Sequence, residues 1–192
     1  MIRNFLADFG NTSQTVRLAS CFNEEVGHPS LPPSLLNASI EVYNGDPRIA
    51  LVKPDGVHAV SAYFLPWGAD TGSYIDLPNN TNGRNLFLTA ELSGCYVGVQ
   101  VTNNGFRVRH YNFQDPITDV SDFERYNNAQ QTHWLVPDKD NNRALFDNSN
   151  IPHSFYANYS VNNPAVLWGE YAANRWTFYY QVPNDTTVHI FV

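Results

Sequence analysis

One cysteine of the chain lies between a threonine and a histidine at a spacing that suits nucleophilic catalysis. Cys95 ends the tetrapeptide Leu-Ser-Gly-Cys, Thr89 lies six positions before it, and His110 lies fifteen positions after it. A thiol is an effective nucleophile only as the thiolate, and a nearby imidazole is a common base for its proton. The three residues therefore indicate attack of a cysteine on a substrate carbonyl.

The residues that precede the cysteine are candidates for the backbone around the reacting oxygen. Gly94 has no side chain, which leaves room for a carbonyl to approach the chain. The candidate donors to an oxyanion are the backbone N–H groups of this segment, Leu92, Ser93, Gly94 and Cys95. In the reaction that follows, His110 accepts the thiol proton, passes it to the leaving group and then activates water.

These residues resemble the glutamine-deamidase toxins, a family that includes the catalytic domain of cytotoxic necrotizing factor and the smaller Burkholderia lethal factor. The family combines Leu-Ser-Gly-Cys with a downstream catalytic histidine, and its lethal-factor branch adds a threonine six residues before the cysteine. The resemblance covers residues 86–113. It implies catalytic roles for Cys95 and His110, with Thr89 orienting the imidazole through its hydroxyl or its backbone carbonyl.

The resemblance also implies an activity. The chain would be a toxin-like virulence factor that converts one glutamine of a host protein to glutamate through a thioester on Cys95. The implied substrate of the lethal-factor branch is an RNA helicase of translation initiation, which would lead to translation inhibition. For the necrotizing-factor branch it is a Rho-family GTPase. No cofactor is implied.

Charge and hydropathy narrow the partners and the compartment. The chain has 18 acidic and 11 basic residues and a formal net charge of −7, whereas nucleic-acid binding needs a basic face. No apolar stretch approaches transmembrane length, and the first residues lack the apolar core of a signal peptide. We therefore expect neither nucleic acid nor a membrane as a partner. Together with these features, the resemblance implies a monomer that acts on a host protein, first in the bacterial cytoplasm and then in the host cytosol.

Metal sites are not indicated. The histidines show no paired spacing of the kind that zinc sites use. Asp138, Asp140 and Asn142 resemble the start of a calcium-binding loop. Arg143 replaces the glycine that such a loop needs, and Ser149 replaces its bidentate glutamate. The sequence therefore predicts neither a metal nor another cofactor.

Several alternatives to a deamidase stay open. Cys95 is also typical of a buried strand cysteine, and His110 and Thr89 of ordinary strand residues. The chain would then be a non-enzymatic β-rich module that binds carbohydrate or protein. A Cys–His protease or a transglutaminase-like acyltransferase would use the same nucleophile with another acceptor. A disulfide between Cys95 and Cys21 would block the site, although nothing in the sequence marks an oxidising compartment.

The elements that must position these residues predict one catalytic domain over residues 1–192, of the α+β (mixed α/β) class. Helices are predicted over residues 12–26, 34–43 and 118–130. Strands are predicted over residues 48–53, 57–65, 86–91, 95–102, 106–113, 165–171, 175–182 and 187–192. Loops are predicted over residues 66–84, 138–150 and 157–163. Together they predict a sandwich-like pair of mixed or antiparallel sheets with flanking helices and long loops.

The dipeptide Asn-Gly at residues 104–105 decides how the thiol and the imidazole are placed. It predicts a two-residue hairpin turn between the strands that carry them. This hairpin would pair His110 with Val99, four residues from Cys95 and roughly 13 Å away along an ideal strand. We therefore expect Cys95 to precede the regular strand, or Gly98 to form a bulge that brings the two side chains together.

Overall fold

The computed structural model describes residues 17–20, 34–43, 46–54, 60–65, 71–112, 132–148, 153–182 and 187–192. Within these ranges the chain forms thirteen strands and one helix. The strands are β1 (Arg17–Ser20), β2 (Ser34–Tyr43), β3 (Asp46–Pro54), β4 (Val60–Leu65), β5 (Thr71–Pro78), β6 (Leu86–Thr89), β7 (Tyr96–Thr102), β8 (Gly105–Asn112), β9 (Thr132–Pro137), β10 (Ser154–Ala157), β11 (Val166–Ala172), β12 (Arg175–Gln181) and β13 (His189–Ile190). The helix is α1 (Asp140–Asn148).

The strands form two mixed sheets. The first sheet has eight strands in the order β1-β3-β2-β4-β6-β11-β12-β13, and the second has five in the order β10-β9-β7-β8-β5. Three neighbouring pairs are parallel: β1 with β3, β4 with β6, and β10 with β9. The remaining pairs of these two sheets are antiparallel.

The predicted α+β fold class is wrong, because two of the predicted helices contain strands. Residues 17–20 form β1, and residues 34–43 form β2. Apolar and polar residues alternate from Leu36 to Val42, which is the period of a strand. β2 pairs with β3 on one side and with β4 on the other, so the sheet satisfies its backbone groups. The third predicted helix, residues 118–130, lies outside the described residues.

Two of the predicted loops contain regular structure, and two further strands lie in segments that had no prediction. β5 lies within the loop predicted at residues 66–84, and α1 lies within the loop predicted at 138–150. α1 buries Asn142 and Phe146 while the described residues around them are exposed, so its apolar face is too sparse to produce a helical pattern. β9 and β10 lie in segments for which the sequence predicted no element.

The main core lies between the two sheets. Its fully buried side chains include Phe87, Leu167 and Phe178 from the first sheet and Val97, Val108 and Leu135 from the second. Because side chains alternate along a strand, the neighbours of these residues point to the outer faces. Burial of such large apolar side chains, at about 1.5–3 kcal/mol each, is the main force that holds the sheets face to face.

A second, smaller core lies on the outer face of the second sheet. Its members are Tyr96, Tyr111, Trp134, Val136 and Phe146. Phe146 belongs to α1, so the helix covers this face of the sheet. Consecutive residues of β7 therefore pack into different cores: Val97 packs into the inner core and Tyr96 into the outer one.

In the described part of the chain, no helix has the length and the apolar character that crossing a membrane requires.

Candidate functional site

Cys95 lies at one end of the sandwich, in the last residue before β7. Leu92, three residues earlier, is joined to Ala165 beside the first sheet by two backbone hydrogen bonds of 2.8 and 3.0 Å. Gly94 then adopts a φ of +140°, which side chains disfavour, as the chain passes from the first sheet to the second. The structure thus agrees with the first route that the sequence allowed, in which Cys95 precedes the regular strand.

The β7–β8 hairpin has a different register from the predicted one. Its turn consists of residues 103–104, because Gly105 already pairs within β8. Gly105 has a φ of +145°, and a Cβ there would lie 2.0 Å from the carbonyl oxygen of Leu77 in β5. The result is that His110 pairs with Val97, two residues from Cys95, and not with the predicted partner four residues away.

Gly98 forms no bulge in β7. It pairs regularly with Arg109 of β8 and with Trp134 of β9. A Cβ at this position would lie 2.8 Å from the ring of Trp134, so the glycine lets the indole pack directly on the sheet. The second route that the sequence allowed is therefore wrong, and the role of Gly98 is in packing.

The thiol and the imidazole share the inner face of the second sheet. Cys95 belongs to the same buried cluster as Val97, and His110 lies directly opposite Val97 across the hairpin. Cys95 is 3% exposed and His110 is 1% exposed. A two-residue offset between antiparallel strands corresponds to roughly 7–8 Å between Cα atoms. Neither ring nitrogen of His110 has a hydrogen-bond partner among the described residues, so the imidazole is not hydrogen-bonded to the thiol.

Burial keeps both groups uncharged. Cys95 is a free thiol, and burial raises its pKa to about 11, although a backbone hydrogen bond from Ser93 acts in the opposite direction. Burial lowers the pKa of the His110 imidazole to about 4. At pH 7 the site therefore holds a neutral thiol beside a neutral imidazole. The unprotonated imidazole is the form that can accept a proton.

Thr89 lies in the opposite sheet and is bonded to the backbone there. It lies two residues after the core residue Phe87 in β6, and residues two apart share one face of a strand. Thr89 therefore faces the interior that also contains the thiol. Its hydroxyl donates to the carbonyl of Ala90 at 2.7 Å, and the carbonyl oxygen of Leu167 is 3.4 Å away. The hydroxyl makes no hydrogen bond with His110, both of whose nitrogens lack a partner within the described ranges. The three sequence-predicted residues therefore surround one interior region without forming a connected triad.

Tyr159 belongs to the site although no sequence pattern indicated it. Its hydroxyl donates to the carbonyl of Cys95 at 2.8 Å, and the carbonyl oxygen of Leu135 is 3.3 Å away. Tyr159 is 2% exposed, and burial raises the pKa of its phenol well above the usual range, so it remains a neutral donor. Tyr159 therefore fixes the backbone of the cysteine. It lies in a segment predicted as loop, and the contact spans 64 residues of sequence.

The two residues before the cysteine lead from the buried site to solvent. Ser93 and Gly94 are half-buried, whereas Cys95 is buried. A Cβ built on Gly94 would meet none of the surrounding atoms within 4 Å. The space beside the backbone of Gly94 is therefore open.

The segment that resembled a calcium loop makes contacts within the protein. Arg143 donates to both carboxylate oxygens of Asp138, with the longer bond at 2.9 Å. Asn142 is buried, accepts from the hydroxyl of Tyr96 at 2.8 Å and donates to the carbonyl of Pro137 at 2.8 Å. These groups hold α1 against the second sheet. No group of three or more His, Cys, Asp or Glu side chains in the described part of the chain could hold a metal ion.

Comparisons with known proteins give a distant structural likeness. No protein-family model and no curated protein sequence matches the chain. Among solved structures, the chain is similar to the C-terminal domain of CNFy from Yersinia pseudotuberculosis, with a TM-score of 0.39 and 9% sequence identity over 86% of this chain and 88% of that chain. A TM-score and an identity this low do not establish a common fold or a common activity.

Proposed function

We propose that the chain is a cysteine-dependent protein glutamine deamidase, with Cys95 as nucleophile and His110 as general base. The observation that carries this proposal is the register of the β7–β8 hairpin. In this register the thiol and the imidazole lie on the same inner face and at the same end of the sandwich, because His110 pairs with Val97, two residues from Cys95. The Leu-Ser-Gly-Cys motif, which ends at the nucleophile, supports the same assignment.

The unsatisfied imidazole is a second support for the proposal. Leaving a buried polar group without a hydrogen bond costs about 1–3 kcal/mol. His110 has two such nitrogens in the described structure. An apolar side chain at this position opposite Val97 would avoid that cost and make the folded protein more stable. A catalytic use of the imidazole would explain why a histidine occupies this position, since a catalytic role is one of the recognised reasons for a buried polar group without a partner.

The reaction starts from a neutral pair. A substrate carboxamide enters beside Gly94, and Cys95 approaches His110 so that the imidazole removes the thiol proton as sulfur attacks the carboxamide carbon. Backbone N–H groups of the motif stabilise the oxyanion. The imidazolium then protonates the leaving nitrogen, which departs as ammonia and leaves a thioester. Water, activated by the imidazole, hydrolyses the thioester to a carboxylate and restores the thiol.

A short movement of the cysteine is part of this mechanism. Cys95 lies outside the regular ladder of β7, next to a glycine with a positive φ, so the segment can move without breaking strand pairing. The hydrogen bond from Tyr159 holds the Cys95 carbonyl and limits this movement to the side chain and the preceding peptide. Many catalytic hydrogen bonds tighten only when the substrate binds.

The substrate class of the proposal is a glutamine side chain of a host protein. The basis for this choice is the resemblance of the motif to the glutamine-deamidase toxins. The same resemblance is the basis for a toxin-like role and for a target among translation-initiation RNA helicases or Rho-family GTPases. Deamidation replaces an amide with a carboxylate, which adds one negative charge and removes two donors. At a glutamine that orients water or contacts a nucleotide, this change disables or locks the target.

The experiment that tests this function measures ammonia release from eukaryotic cytosolic lysate after addition of the purified protein. We expect release by the wild type and none by Cys95→Ser. Cys21→Ser is the matched control, because it removes the other cysteine and should leave release unchanged. His110→Gln should lower the rate by about 100-fold or more, the usual contribution of a general base.

Other products would identify other activities. Shortened substrate proteins without ammonia would indicate a protease, and amine incorporation would indicate an acyltransferase. Equal, zero ammonia release by the folded wild type and by Cys95→Ser would contradict the proposal and favour a non-enzymatic module.

A further inference from the structure

A pocket with both apolar and polar walls lies at the end of the sandwich opposite to Cys95. It has a volume of about 580 Å³ and opens beside the β7–β8 turn, where Thr102, Asn103 and Asn104 contribute to its wall. Thr102 is seven residues along β7 from Cys95, which corresponds to about 23 Å of extended strand. The pocket, called the hairpin pocket below, is therefore separate from the candidate catalytic site. Its volume falls within the range of small-molecule sites, roughly 300–1,000 Å³.

The walls of the hairpin pocket are held by hydrogen bonds before any ligand arrives. The backbone N–H of Asn79 donates to the carbonyl of Asn104 at 2.9 Å, which joins the end of β5 to the turn. The indole of Trp176 donates to the carbonyl of Pro78 at 3.0 Å, which joins β5 to the first sheet. The hydroxyl of Tyr171 donates to the carbonyl of Asn79. Binding here therefore requires little ordering of the backbone.

The charges that line the hairpin pocket neutralise each other. Arg107 donates two hydrogen bonds to Asp76, at 2.6 and 2.7 Å, in the bidentate geometry that binds most strongly. Both residues line the pocket. The guanidinium also lies over the ring of Tyr74, 4.4 Å from its centre. A phosphate or carboxylate ligand would have to displace Asp76, so an anion is disfavoured.

The other polar side chains of the hairpin pocket are neutral. The side chains of Tyr63, Thr102, Asn103 and Asn104 line it, and none of them makes a hydrogen bond to another described residue. Hydroxyl and amide side chains both donate and accept hydrogen bonds. Such groups match a ligand whose own groups do both, which is the property of sugar hydroxyls. Tyr63 adds an aromatic ring to this wall, and aromatic rings offer an apolar surface beside a polar group.

We propose that the hairpin pocket binds a neutral carbohydrate of one or two sugar units. Asn103, Asn104 and Thr102 hydrogen-bond its hydroxyl groups, and Tyr63 contacts its ring. Because the pocket lies at the other end of the sandwich, binding does not depend on the thiol. The deamidase proposal and the carbohydrate proposal can therefore fail independently.

The test is a titration followed by ¹H–¹⁵N NMR with glucose, lactose and N-acetylglucosamine as neutral probes and glucose 6-phosphate as the anionic probe. We expect at least one neutral sugar to shift the backbone signals of Thr102, Asn103 and Asn104 with a dissociation constant of about 1 mM, as is reasonable for a small polar ligand. Cys95→Ser should bind the same sugar equally well.

The variant Asn103→Ala/Asn104→Ala should weaken this binding by about tenfold or more, because two neutral hydrogen-bonding groups are lost. Both side chains are exposed, and the turn is held by backbone bonds, so the fold should be kept. Asn162→Ala, at an exposed turn elsewhere, is the matched control and should bind as the wild type does. The proposal is overturned if none of the neutral sugars shifts these signals. It is also overturned if glucose 6-phosphate binds more tightly than glucose, or if the double variant binds as tightly as Asn162→Ala.

Discussion

Cys95 of the free protein should react slowly with alkylating reagents, because its thiol is buried and un-ionised. Burial raises its pKa from 9.0 to about 11, and the opposing influence is the Ser93 backbone, not His110. A cysteine that forms an ion pair with histidine has a lowered pKa and reacts rapidly. Alkylation therefore distinguishes the neutral pair described above from a preformed thiolate–imidazolium pair.

The expected rate follows from the pKa. At pH 7 a thiol of pKa about 11 is ionised in roughly one molecule in 10,000, against roughly one in 100 for a pKa of 9. A more basic thiolate is a better nucleophile, with a Brønsted coefficient of about 0.4–0.5, which recovers a factor of roughly 6–10. The rate should therefore lie roughly 10–16-fold below that of an exposed cysteine. Because Cys95 is 3% exposed, steric protection should lower it further.

The assay follows iodoacetamide alkylation of the peptide that contains Cys95 by mass spectrometry, with a short unstructured cysteine peptide as reference. Observing this peptide alone removes the contribution of Cys21. Between about pH 7 and about pH 9 the logarithm of the rate should rise by about one per pH unit without a plateau. His110→Gln should leave this profile unchanged, because the imidazole does not perturb the resting thiol.

Two results would refute this reasoning. One is a plateau in the rate below about pH 8, which requires a lowered pKa for the Cys95 thiol. The other is rapid alkylation that His110→Gln abolishes, which requires an ion pair in the free protein.

Three further changes have defined outcomes. Tyr159→Phe removes the donor to the Cys95 carbonyl and should lower the free energy of unfolding by about 1–3 kcal/mol in urea titrations; an unchanged value would contradict this contact. Burial lowers the pKa of His110 from 6.5 to about 4, so the unfolded chain binds the extra proton between these values. About 3 kcal/mol of stability, fully present above about pH 6.5, should therefore be lost as the pH falls toward 4, and His110→Gln should remove this part of the pH dependence. Gly98→Ala brings a Cβ within 2.8 Å of the Trp134 ring and should destabilise by about 1–3 kcal/mol, so a wild-type melting temperature would contradict the packing.

Strands near the site were predictable because their patterns are local. β7 and β8 begin and end within one residue of the predicted bounds, since alternating and β-branched residues flank a turn dipeptide. Their register was not predictable. It depends on the close approach of Gly105 to Leu77, a residue of β5 that lies 28 positions earlier and in a segment predicted as loop. A shift of the turn by one residue changes the partner of His110 by two residues, from Val99 to Val97.

The helix predictions failed for a related reason. In residues 34–43 the signals for a helix, a proline before the segment and Asn-Gly after it, competed with an apolar alternation. Pairing of β2 with strands on both sides decides between them, and such pairing is a long-range contact. Tyr159 shows the same limit within the site, because a single buried tyrosine carries no periodicity that would connect it with Cys95. The residue types of the candidate site were visible in the sequence, but their partners were not.

The most direct test of the deamidase proposal is glutamine-resolved mass spectrometry of eukaryotic cytosolic lysate treated with the wild type or with Cys95→Ser. We expect one strongly Cys95-dependent Gln→Glu site, seen as a mass increase of about one dalton in an otherwise intact protein. His110→Gln should greatly reduce this change, and Cys21→Ser should leave it intact. If the folded wild type, with a titratable thiol, produces no Gln→Glu change that Cys95→Ser lacks, the deamidase proposal is contradicted.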